Sequence, residues 1–153
     1  MSNEKKRTNI QSLHGKLCVA LYEQLGDVVL PIMKETYGAY GRELGTGLKR
    51  KWDPKSFDTA ISSFAKMCND GGMPLEIRIE GDTVYVKGTV CPFKLEGTYY
   101  KVCEAMMEMD LEMLRVLTGE ERLNMSIEKT IAAGDQACEM IYSVNNGKEA
   151  VDQ

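Results

Sequence analysis

The chain has 153 residues, with nineteen basic against twenty-three acidic side chains and a net charge of −4. Hydrophobic residues make up 43% of it, enough for the core of one domain, expected over residues 1–153. The charge argues against a broad nucleic-acid footprint, and no apolar run approaches the roughly twenty residues that span a bilayer.

The opening "MSNEKKRTN" is charged, with no apolar signal segment after it. The first ten residues and the last nine are expected to fray. Five cysteines, an odd number, fit free thiols in a reducing compartment, so a cytoplasmic location is expected. Five of the ten methionines lie between Met106 and Met125, which predicts a soft, adaptable wall in the core.

The first half reads as helix. "SLHGKLCVALYEQL" sets Leu13, Leu17, Leu21 and Leu25 at four-residue steps, with Ser12 as a cap. His14, the only histidine, reads as a surface or capping residue. Gly26 marks a joint and Pro31 a new helix start. From Val28 to about Lys51, Val29, Ile32, Met33, Thr36, Tyr37, Tyr40, Leu44 and Leu48 continue the helical pattern. "GAYGRELGTG" within it allows close approach to another helix or to a small ligand. "GLKRKWD", residues 47–53, reads as a solvated helix end whose cations suit the dipole. Asp53 as cap and Pro54 as first helical residue open a third helix. Its stripe is Phe57, Ile61, Phe64, Ala65 and Cys68, and Gly71 and Gly72 end it.

The period then falls to two. "LEIRIEGDTVYVKGTV" alternates Leu75, Ile77, Ile79, then Val84, Val86, with "EGDT" as the reversal of a hairpin. "CPFKLEG" is a connection, a long helix spans roughly Thr98 to Leu117, and two strands close the chain. The expected fold is α+β: an antiparallel sheet of about four or five strands packed against helices, after a helical N-terminal half. The helical part covers about 12–70 and the sheet with its long helix about 74–144.

Three cysteines recur around this second part. Cys91 ends a strand, Cys103 lies near a helix start where free amides favour a thiolate, and Cys138 opens the last strand. A joint site could hold zinc on three thiolates plus water, or an iron–sulfur centre, although the spacing differs from the compact ferredoxin run. Each of the three could equally be a buried core residue. Asp110 is an acid on the apolar side of the helix that carries Cys103, so it needs a partner, Arg115 or Arg122, or a role as proton carrier or metal ligand. Cys103 and Asp110 are the candidate catalytic pair. Cys91, Cys103 and Cys138 are the candidate metal ligands, and Tyr40, Tyr99 and Met106 the candidate ligand contacts.

The stretch "CPFKLEG", "YYKVCEAMMEMDLEML" and "GEERLNMSIEKTIAAGDQACEMIY" resembles the L-2-amino-thiazoline-4-carboxylic acid hydrolase family. That family is related in appearance to vinyl-reductase-type small-ligand domains and methanogen output domains. The resemblance covers mainly residues 75–144, and its most specific piece is the turn of Gly134, Asp135 and Cys138. It implies an α+β fold with a pocket between helices and sheet, and a reaction that opens a cyclic amidine–thioether ring with water. In the zinc-bearing sensors another cysteine precedes the turn; here Thr130 stands in its place, so that set is broken. The leading expectation is a small-molecule-binding domain of this hydrolase-like family, with Cys91, Cys103 and Cys138 around one pocket; the alternatives are a hydrolase that opens such a ring and a non-catalytic sensor or homodimeric interaction module.

Overall fold

The computed structural model describes residues 9–144. The termini expected to fray lie outside the described residues, except that Asn9 and Ile10 already belong to the first helix.

Four antiparallel strands form the sheet: β1 (Leu75–Glu80), β2 (Thr83–Gly88), β3 (Leu123–Lys129) and β4 (Cys138–Val144), in the order β1-β2-β4-β3. The register aligns Ile77 with Val86, Val86 with Met140, and Met140 with Ile127. Because side chains alternate across a strand, that row and its neighbours Ile79, Val84, Tyr142 and Met125 share one apolar face. Glu76, Arg78, Tyr85, Lys87 and Glu139 fall on the other, where Arg78 lies over the Tyr85 ring at 4.2 Å.

Helices α1 (Ile10–Leu25), α2 (Leu30–Trp52), α3 (Phe57–Asp70), α4 (Tyr100–Met106) and α5 (Glu108–Thr118) complete the fold. The expected long helix is interrupted at Met107, yet the Leu111 amide still donates to the Met107 carbonyl, so α4 and α5 run on with a local irregularity. Two caps fall elsewhere than expected. The Asn9 side chain, not Ser12, accepts from the first turn of α1, taking the Ser12 amide at 2.8 Å. Asp53 is left-handed and ends α2, while Ser56 and Thr59 form a capping box that starts α3.

The core has two parts. One joins the dry sheet face to α3 and α5 through Ile61, Phe64, Leu114, Leu117 and Tyr142. The other gathers Phe93, Leu95, Val102, Met106 and Ile131 with Cys18, Val29 and Met33 of the N-terminal helices. The leucine stripe of α1 is not core: Leu13, Leu17 and Leu25 are more than half exposed, and the buried side is Ser12, Gly15 and Cys18.

The glycines of α2 settle into close helix packing, the first of the two expected roles. A Cβ at Gly41 would overlap the Met109 carbonyl oxygen, and one at Gly45 would sit 2.8 Å from that of Met113 and 2.9 Å from the Val116 Cβ. The α2 and α5 backbones thus meet without intervening side chains, and the Arg42–Glu112 pair at 3.3 Å bridges the same two helices.

Gly41→Ala should therefore cost on the order of 2 kcal/mol or more, because the overlapped atom belongs to backbone. Gly47→Ala meets nothing within 4 Å and should stabilise α2 by about 0.5–1 kcal/mol. Urea unfolding of both variants checks the pair; similar effects at the two sites would contradict the close contact.

Candidate functional site

A cavity of about 280 Å³ lies at the seam of the two cores. Val86, Met140 and Tyr142 supply the sheet wall and Phe64 and Cys68 the α3 wall. Met106, Met109, Asp110 and Met113 come from α4 and α5, and Cys91 and Phe93 from the connection after β2. Exposed Gln11, Val90 and Lys129 stand at its mouth. Seven of the ten methionines line it: Met67, Met73, Met106, Met107, Met109, Met113 and Met140. Unbranched thioethers fill irregular space and yield to a guest.

The connection 89–99 places Cys91. A Cβ on Gly15 of α1 would overlap the Phe93 carbonyl oxygen, so the α1 backbone lies directly on this loop. Tyr37 of α2 meets the Phe93 ring edge-on at 6.2 Å. The turn after β3 places the other two thiols. Gly134 is left-handed, and the Asp135 carboxylate accepts the Thr130 amide at 2.9 Å. The Thr130 hydroxyl then donates to Cys103 Sγ at 3.3 Å, and the Ile131 amide donates to Cys138 Sγ at 3.4 Å. Thr130 therefore steadies the Cys103 thiol through its hydroxyl.

Cys91, Cys103 and Cys138 all line the cavity, joined by Cys68, which sequence reasoning placed only in the core. The shared space is not a metal-ligand cluster. Among the described residues, no group of three or more His, Cys, Asp or Glu side chains could hold a metal ion. Each sulfur accepts from a different donor, Cys91 from the Leu95 amide at 3.4 Å. The expected zinc or iron–sulfur set thus finds no arrangement to support it.

Nor do the thiols read as nucleophiles. Burial pushes Cys103 up to about 11 and Cys68 up to about 12, and it raises Cys91 as well. The expected helix-end activation of Cys103 is outweighed by burial, and its own amide is already bonded to the Tyr99 carbonyl.

Among the described residues, Asp110 is the one carboxylate in the wall. It pairs with neither expected arginine: Arg115 binds Glu112 and the Leu123 carbonyl, and burial alone shifts the Asp110 carboxyl, up to about 6. Its charge also raises Cys68 and Tyr142 after the larger effect of burial, so these groups face one another. Tyr142, also missed from sequence, donates only to the Met140 sulfur at 3.8 Å.

Of the expected ligand contacts, Met106 lines the cavity, but Tyr40 and Tyr99 do not. Tyr40 is half exposed on the outer side of α2, and Tyr99 packs on Tyr22 at the surface, ring centres 4.9 Å apart. His14 is exposed, with Nδ1 3.1 Å from the Tyr37 hydroxyl. Among the described residues, no helix is long and apolar enough to cross a membrane.

Asp110 keeps part of its surface open, yet the atoms around it are largely apolar, and that has a consequence in pH. Its carboxyl ordinarily titrates near 3.8 and holds its proton to about 6 in the folded chain. The folded state thus binds more protons in between, so this group's contribution to stability falls as pH rises through that window. The loss is on the order of 2–3 kcal/mol at one pH unit per 1.4 kcal/mol. Asp110→Asn should flatten the slope and unfold at higher urea than the wild type at about pH 8. An unchanged pH profile would contradict the buried carboxylate.

Among known proteins, the fold has clear counterparts. A trafficking protein particle complex subunit 3 from Naegleria fowleri, solved covalently bound to palmitic acid, superposes with a TM-score of 0.66. It is 12% identical, over 89% of this chain and 95% of that one. The phenol-responsive sensory domain of the transcription activator PoxR, solved with phenol, gives a TM-score of 0.63 at 12% identity, over 92% of this chain and 78% of that one. No family model and no curated protein matches the chain. The chain has the α+β fold of such small ligand-binding domains.

Proposed function

We propose that the protein binds a small molecule with an apolar body and one hydrogen-bond donor, held in the cavity at the seam of the two cores. The observation that carries this reading is a methionine-rich apolar cavity whose wall contains a carboxylate without a partner. Apolar pockets with a few placed polar groups are the common form of small-molecule sites. An isolated carboxylate in such a place is costly, and a ligand donor such as a phenol hydroxyl or an amine offsets that cost. A free carboxylic acid is disfavoured, because its charge would stand beside Asp110.

The two structural neighbours support an apolar guest: palmitic acid in one and phenol in the other. The resemblance to the thiazoline-carboxylate hydrolase family enters for its pocket between helices and sheet. Its ring-opening reaction does not, since burial keeps Cys103, the candidate nucleophile, and Cys68 protonated.

Calorimetry with two probes of similar size tests the reading. 4-Ethylphenol should bind, and hexanoate at neutral pH should bind at least about tenfold more weakly. Asp110→Asn should narrow that gap. Equal affinity for the two probes, or a gap that Asp110→Asn leaves unchanged, would overturn the role given to Asp110. Absence of binding by either would overturn the reading itself.

A further inference from the structure

The α1 helix has a second apolar face that the fold leaves open. Ser12, Gly15 and Cys18 point inward, and Ile10, Leu13, Leu17, Leu21 and Leu25 lie on the opposite side, 38–66% exposed. Val28 and Ile32, just past the helix, are 67% and 63% exposed. Steps of three and four residues keep the five helical positions on one stripe. Isolated exposed leucines are ordinary, but a full stripe along sixteen residues marks an interaction surface.

We propose that this face joins two copies of the chain, α1 packing antiparallel on α1 of the second copy about a two-fold axis level with Val19. The sequence of the stripe is its own complement in that register. Leu17 falls opposite Leu21, Leu13 opposite Leu25, and Ile10 opposite Val28. Such self-matching is what an isologous interface requires. Charge agrees with it. Exposed Lys16 and Glu23 lie on one flank of the stripe, seven residues apart, so the axis brings each within one residue of level with the other on the second copy, inside the reach of a lysine side chain. The seven apolar residues leave on the order of 700 Å² open per copy, near the roughly 800 Å² each partner brings to a standard interface. The interface is independent of the cavity and of its ligand.

Analytical ultracentrifugation at high micromolar concentration tests this. The wild type should sediment at twice the chain mass. Leu17→Glu, at an exposed site, should retain the wild-type circular dichroism spectrum and weaken dimerisation by about tenfold or more. Lys16→Glu should weaken the dimer at low salt, and Lys16→Glu with Glu23→Lys should restore it. A monomeric wild type, or a Leu17→Glu dimer of unchanged affinity, would overturn the interface. Failure of the charge exchange to restore the dimer would overturn the antiparallel register.

Discussion

The contact between the α2 and α5 backbones sets the rest of the structure. Gly41 and Gly45 remove the side chains that would hold the helices apart, and the Met109 and Met113 carbonyls settle into the space. With one side of α5 fixed in this way, its other side presents Met113 and Asp110 to the sheet. The helical half and the sheet half are thereby joined along a single seam. Two clusters of buried residues form on either side of it, and the cavity is the space they share. Backbone contact is stiff and methionine packing is soft, so the frame is rigid where it is held and yielding where a guest would sit.

One environment accounts for the chemistry of the wall. Removal from water disfavours every charged form, which keeps Cys68 and Cys103 protonated and raises the Asp110 carboxyl. The same wall that disarms a cysteine nucleophile would, in the proposed function, make a lone carboxylate a strong point of recognition. Thr130 and Asp135 reinforce this. Their hydrogen bonds close the turn before β4 and hold Cys103 against the Thr130 hydroxyl. The Gly134–Asp135 turn therefore acts here as a support for the cavity wall.

Much of this was legible in the chain. The change of period from helix to strand, the "EGDT" reversal and the paired glycines of α2 each describe a local need, and local needs survive folding. The α1 leucines give the helix but not its inward side. Periodicity marks an apolar face but does not say what covers it, and here the small residues Gly15 and Cys18 take the inward side because Phe93 lies against the backbone. The shared placement of Cys91, Cys103 and Cys138 was visible; their separate hydrogen bonds were not, since donors such as the Leu95 and Ile131 amides depend on loop geometry. Tyr40 and Tyr99 stand at the surface, away from the cavity lining. Cys68, by contrast, already lay on the stripe of Phe64 that reaches the cavity.

The central claim is that an apolar space persists between the two cores. Diffraction from a crystal pressurised with xenon tests it most directly, because xenon enters dry apolar cavities and leaves packed interiors empty. A xenon peak among Val86, Met106 and Met113 is the expected result. A crystal in which xenon binds elsewhere, while those side chains close on one another, would contradict the account.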